Sequence, residues 1–114
     1  MDFQKDSPIW RQISDQLGDE ILQARWKEGE RIPSVRERAA DLGVNPNTVI
    51  RAYGALEEVG VIVNQRGLGY FVATGGTEKL RTARKQEFLE KEWPLILKKM
   101  SMLGLTTNDK ELWK

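Results

Sequence analysis

Ile32 to Val72 reads IPSVRERAADLGVNPNTVIRAYGALEEVGVIVNQRGLGYFV, and the punctuation of that stretch decides the fold. Ser34 followed three residues later by Glu37 is a capping box, a start signal for a helix. The helix runs from Val35 to about Leu42 with Val35, Ala39 and Leu42 inward, and Gly43 stops it in a left-handed conformation. Asn45 caps the next helix, and Pro46 takes its first position, where a missing N–H costs nothing. Val49, Ala52, Tyr53 and Leu56 form its apolar stripe, and Gly60 ends it. The short turn from Gly43 to Asn45 forces a sharp angle between the two helices. Val61-Ile62-Val63 and Tyr70-Phe71-Val72 then read as strands around a tight tip at Arg66-Gly67-Leu68-Gly69. Helix, turn, helix and a two-stranded wing suit insertion of one helix into a DNA major groove.

On the N-terminal side, Ser7 is placed to cap a helix with Pro8 at its first position. Ile9, Ile13, Leu17 and Ile21 recur every fourth residue, Trp10 and Leu22 widen the stripe, and the pattern ends near Trp26. Lys27-Glu28-Gly29-Glu30 reads as a turn, and Ile32-Pro33 as a short extended piece. On the C-terminal side, Thr74-Gly75-Gly76 reads as a joint. Thr77 to Leu103 reads as a long helix carrying Leu80, Ala83, Phe88, Leu89, Trp93, Ile96, Met100 and Leu103. Pro94 is expected to kink or split it, because proline removes a donor and clashes with the preceding turn. Gly104 closes it, and Thr107 or Asn108 caps a last short helix with Leu112 and Trp113. The expected fold is mainly α with a small β wing. A winged helix-turn-helix DNA-binding domain over residues 1–74 precedes a short helical dimerisation arm over 77–114.

Composition removes other classes of function. The 114 residues contain no Cys and no His, so disulfides, thiol nucleophiles, Cys zinc sites and the usual general base are absent. Asp and Glu fall at helical spacings among Lys and Arg, the look of a solvated face. Neither catalysis, a metal nor a cofactor is called for. No apolar run approaches the ~20 residues that span a bilayer, and no signal-peptide pattern opens the chain; a cytoplasmic location is expected. The net charge of +1 gives no global nucleic-acid signature, and acids outnumber bases before Thr77. A DNA reader so composed must gather its cations on one face. Protein contact through the same winged helix, without sequence-specific DNA binding, is the alternative.

In helix-turn-helix geometry the start of the second helix faces base edges. Here that start carries Asn45, Asn47 and Thr48, with Arg51 one turn on. Asn can hold adenine through two hydrogen bonds, Thr can touch a thymine methyl or a phosphate, and Arg suits guanine or phosphate. Arg36, at the start of the preceding helix, stands where it can reach the DNA backbone. In the wing, Gln65, Arg66 and Gly67 combine a cation with a glycine that permits close approach to a narrow groove.

These residues carry a resemblance. SPIWRQI (Ser7 to Ile13), IPSVRERAADLGVNPNTVIRAY (Ile32 to Tyr53) and RGLGYFV (Arg66 to Val72) resemble the GntR family of bacterial transcription regulators, most of all its small YtrA-type branch. The resemblance implies a winged helix over recognition helix 46–58 and wing 62–72, homodimerisation and a palindromic double-stranded DNA operator. It implies DNA contacts from Ser34, Arg36, Asn45, Asn47, Thr48, Arg51, Arg66 and Gly67. It also implies repression, with transporter genes the usual targets of the branch. Arg38 stands where the broad family carries a core-facing Leu, so either the inner face there is thinner or the Arg stem folds over it. Pro46 and Ile50 stand where other branches often carry a DNA-contacting Arg.

About forty residues follow Val72, too few for a separate pocketed effector domain. A small winged domain offers limited surface to cover the apolar residues of the arm. Phe88, Leu89, Trp93, Ile96, Leu97, Met100 and Leu103 are therefore assigned to a dimer interface. The sequence names no small-molecule effector.

Overall fold

The computed structural model describes residues 7–113. They form helices α1 (Ile9–Leu22), α2 (Val35–Leu42) and α3 (Pro46–Glu58), strands β1 (Ile62–Gln65) and β2 (Gly69–Val72), then helices α4 (Gly76–Glu87) and α5 (Trp93–Met102). Two compact units result, one ending at Arg81 and the next beginning at Thr82.

In the first unit, apolar positions at helical and strand spacing converge on one core. Ile13, Leu17 and Ile21 of α1 meet Ala39 of α2, Val49, Ala52, Tyr53 and Leu56 of α3, and Val61, Ile62, Val72 and Leu80. The stripe of α1 begins one turn later than its sequence suggests, since Ile9 at the helix tip is exposed. Pro8, not Ser7, is the N-cap of α1, and no side chain caps it; the Ser7 carbonyl instead accepts from Gln12 Nε2 at 2.8 Å.

Helix α1 also stops four residues before Trp26. Ala24 turns left-handed (φ 64°), its N–H donates to the Ile21 carbonyl, and the Arg25 N–H donates to Glu20. This is a Schellman ending, in which paired backbone bonds satisfy the last carbonyls. Helices α2, α3 and α5 end the same way with glycine (Gly43, Gly60 and Gly104) at the left-handed position. Only α1 puts a Cβ there, so no sequence signal marked its end.

The wing is an antiparallel pair with Ile62 opposite Val72 and Gln65 opposite Gly69. Residues 29–32 run along the free side of β2. The Ile32 N–H donates to Tyr70, the Val72 N–H to Glu30 and the Gly29 N–H to Val72, with Arg31 bridged to Phe71. The wing therefore has no bare inner edge. Across Thr74-Gly75-Gly76 the chain turns from β2 into α4, with Thr74 exposed and Gly76 buried. Gly75 has φ 73°, its N–H donates to Glu28, and a Cβ on Gly76 would strike the Val61 carbonyl.

In the second unit, the expected long helix is interrupted as Pro94 demands. A single π-helical turn, Phe88–Glu92, precedes α5, and Pro94 lies in the first turn of α5. The Trp93 N–H reaches back five residues to the Phe88 carbonyl. The wider turn absorbs the donor that proline lacks and the clash it causes. After α5 the chain makes a turn in which the Thr106 N–H donates to Asp109 Oδ2, then a 3-10 turn over Lys110–Trp113. Thr106 and Asp109 organise this end, rather than Thr107 or Asn108 capping an α-helix. Among the described residues no helix is long and apolar enough to cross a membrane.

Candidate nucleic-acid interface

The start of α3 is built as its sequence dictates. Gly43 reverses the chain at φ 66°, and Asn45 Oδ1 accepts from the Asn47 N–H at 2.8 Å. The Asn45 oxygen is thereby engaged, which leaves its amide N–H groups for an outside partner. Asn47 and Arg51 are exposed and Thr48 is half-buried, while Val49, Ala52, Tyr53 and Leu56 face the core.

Arg51 is not loose. Its guanidinium lies over the ring of Trp10 in α1, 4.7 Å from the centroid. The ring attracts the cation without acting as a hydrogen-bond acceptor in its plane, so the guanidinium keeps donors for a base edge or a phosphate. Sequence reasoning missed this pairing, because 41 positions separate the two residues (51 − 10) and no local signal links them.

At the start of α2 the capping box is complete. Ser34 Oγ accepts from the Glu37 N–H, and Glu37 Oε1 accepts from the Ser34 N–H, both at 3.1 Å. The backbone bond from Ser34 holds the Glu37 carboxyl below its ordinary range, helped by the Ser34 side chain and the nearby charge of Arg31. Ser34 is half-buried, and Arg36 projects exposed from the first helical turn.

At the wing tip the Leu68 N–H donates to the Gln65 carbonyl at 2.8 Å, closing a turn whose third residue, Gly67, has φ 80°. Only glycine takes that conformation freely. Gln65, Arg66, Gly67 and Leu68 are all exposed. Arg31 joins them as a cation that sequence reasoning passed over. Its Nε would lie 3.0 Å from a Cβ on Gly69, so glycine there makes room for it. The bridge between Arg31 and Phe71 places it, a pairing that sequence alone does not announce.

Two buried devices fix these surfaces to one another. Tyr53, with no exposed surface, donates its hydroxyl to the Pro33 carbonyl at 2.7 Å and meets Tyr70 of β2 edge-on at 5.0 Å. One side chain thus holds α3, the approach to α2 and the wing. Burial pushes the Tyr53 hydroxyl up, only partly offset by Arg38 beside it. The second device is an ion pair. Arg38 is itself buried and grips Glu20 of α1 with both terminal nitrogens, at 2.6 and 3.1 Å. Trp26 Nε1 donates to the same carboxylate at 2.8 Å. Burial alone would raise the Glu20 carboxyl, but the bonds from Arg38 and Trp26 and the charges of Arg38 and Arg25 outweigh it and hold it below its ordinary value. Arg38 therefore neither thins the inner face of α2 nor merely lays its stem across it; it replaces apolar packing with a charged clamp.

Comparison with known proteins agrees with this geometry. Residues 10–72 match the model of the bacterial regulatory proteins of the gntR family, a span that runs from the second residue of α1 to the end of β2. The chain belongs to the GntR family. Its relatives include the HTH-type transcriptional regulator YhcF of Bacillus subtilis, 36% identical over 94% of this chain and 87% of that protein. The HTH-type transcriptional repressor YtrA of Bacillus subtilis is 34% identical over 85% of this chain and 75% of that protein. A GntR family transcriptional regulator from Listeria monocytogenes superposes with a TM-score of 0.77 at 32% identity, covering 97% of this chain and 96% of that one. The DNA-binding domain of AraR in complex with operator ORR3 superposes at 0.59 with 26% identity, covering 64% of this chain and 88% of that one. This GntR member is a winged-helix, DNA-binding transcriptional regulator, and its relatives are named as regulators and not as enzymes.

The second unit of this GntR chain is built differently. None of its π-helical turn, α5 or 3-10 turn residues is buried. Of the seven residues assigned to an interface, Phe88, Leu89, Ile96, Leu97 and Leu103 are exposed, and Trp93 and Met100 are half-buried. Leu95 (68% exposed), Met102 and Trp113 (75%) are further exposed apolar side chains beyond that set. The rings of Phe88 and Trp93 meet at a tilt of 34° with centroids 6.2 Å apart. Residues five apart lie on different faces of an α-helix, and the π turn between them brings these two rings together. Among the described residues no group of carboxylates is placed to hold a metal ion.

Proposed function

We propose that this regulator reads a specific palindromic operator as a homodimer and represses transcription there, with transporter genes among its targets. The observation that carries this reading is the outward side of α3. Asn47, Thr48 and Arg51 stand clear of the core on a helix pinned by Tyr53, and Arg51 is steadied on Trp10 with its donors free. Residues 1–74 form the DNA-holding domain. Asn47 and Arg51 address base edges, with Asn45 and Thr48 at the same helix start. Ser34 and Arg36 address the backbone, and Gln65, Arg66 and Gly67 the adjoining groove.

Residues 77–114 form the arm that pairs with a second copy. Support for this comes from the apolar side chains that the second unit leaves exposed, a surface of the kind that marks association. A two-fold dimer presents two recognition helices ~34 Å apart, so its operator repeats about one turn on. A repressor so placed acts in the cytoplasm by excluding polymerase from a promoter.

The test is titration with labelled genomic fragments at two salt concentrations. Selected fragments, a steep loss with salt and a loss of about 1–3 kcal/mol on Arg51→Ala are expected. Arg36→Ala should weaken all fragments alike. Binding without selection, unmoved by either change, overturns sequence-specific reading.

A further inference from the structure

Ile50 sits where an apolar side chain has no internal reason to be. It lies on α3 between Asn47 and Arg51, and 50% of its surface is exposed, whereas the helix buries Val49, Ala52, Tyr53 and Leu56 on its other side. Helical spacing aligns Asn47, Ile50, Arg51 and Gly54 in one strip at i, i+3, i+4 and i+7. Gly54 is equally unexplained from within. A glycine inside a helix weakens it relative to alanine, its φ is not positive, and an added Cβ would meet nothing within 4 Å. The protein thus spends an exposed isoleucine and a bare backbone side by side, flanked by the two polar residues best suited to base edges.

We infer that Ile50 is a specificity-determining residue that packs against a thymine 5-methyl group in the major groove, with Gly54 giving the helix clearance to approach. This rests on the reading of α3 as the recognition helix. Thymine alone among the four bases presents a methyl on that edge. Isoleucine offers neither donor nor acceptor, so it gains by covering a methyl and loses by covering the polar edges of guanine or cytosine, whose groups it strips of water without replacing it. One residue thereby supplies attraction to thymine and rejection of G·C pairs. A protein partner would instead leave binding indifferent to that methyl.

The experiment begins with selection of the tightest duplex from a randomised pool by the full chain. Each thymine of that duplex is then replaced singly by deoxyuridine, which removes only the methyl group. One thymine in each half-site should cost about fourfold in affinity, the worth of one buried methyl. Ile50→Ala, a change at an exposed position, should bind that duplex more weakly and be indifferent to the same replacement. Thr48→Ser, which removes the other methyl near the helix start, should keep the deoxyuridine penalty. A wild-type protein indifferent to every replacement overturns the inference. So does an Ile50→Ala variant that still pays the penalty, or a Thr48→Ser variant that escapes it. If no duplex is enriched at all, sequence-specific reading itself falls, and the inference with it.

Discussion

The two units of this chain spend their apolar residues in opposite ways. The first gathers Ile13, Leu17, Ile21, Val49, Tyr53 and their neighbours into a closed core and hides even an arginine and a glutamate. The second carries a comparable supply of Leu, Ile, Met and Trp on its π-helical turn, α5 and 3-10 turn, and buries none of them. A chain pays conformational entropy to order either segment, and only the first recovers it from its own contacts. The difference separates two tasks. One unit closes its apolar surface by folding, and the other leaves its own open.

The largest expected effect lies in the closed unit. Glu20→Ala strands the buried Arg38 guanidinium and should cost about 3 kcal/mol in urea unfolding, while Glu20→Met with Arg38→Leu should recover most of it. Failure of the double variant to recover would show that the pair is more than a clamp.

Next comes the open unit. Leu97→Glu adds a charge to an exposed apolar surface, so the unfolding of the first unit should shift by less than about 0.5 kcal/mol. On the proposed pairing of the arm, sedimentation at micromolar concentration should nevertheless change from dimer to monomer, a loss of about 2 kcal/mol or more. A parallel loss of folding stability would erase the distinction between the units.

Acid gives a milder form of the first test. The Glu20 carboxyl is held below its ordinary value of 4.5, so its contribution is fully present above that pH and is lost as pH falls through the lower folded value. The first unit should therefore soften below about pH 4.5, and the Glu20→Met, Arg38→Leu variant should soften less. The smallest effect is a gain. Ala24 holds a left-handed position at φ 64°, and Ala24→Gly should raise stability by about 0.5–1 kcal/mol in thermal melts, with DNA affinity unchanged.

What the sequence made legible was local. Ser34 with Glu37, Gly43, Asn45 with Pro46, and the glycines of the wing tip each act on their immediate neighbours, and each stands in the fold where its chemistry requires. Longer-range features escaped. Glu20 looks like any polar residue on a helix, and its burial follows from Arg38, eighteen positions away. Trp10 reads as stripe filler until Arg51 is laid across it. The end of α1 was silent because alanine gives no stop signal. Pro94 announced an interruption, but only the backbone could show that a π turn would absorb it.

The Glu20–Arg38 clamp also constrains the history of the sequence. An exchange of Arg38 for leucine abandons a buried carboxylate, and an exchange of Glu20 for an apolar residue abandons a buried guanidinium, so neither half can drift alone. The two positions are expected to change together. Descendants of one ancestor should therefore carry both charges or neither, a pattern that comparing positions 20 and 38 across related sequences would check.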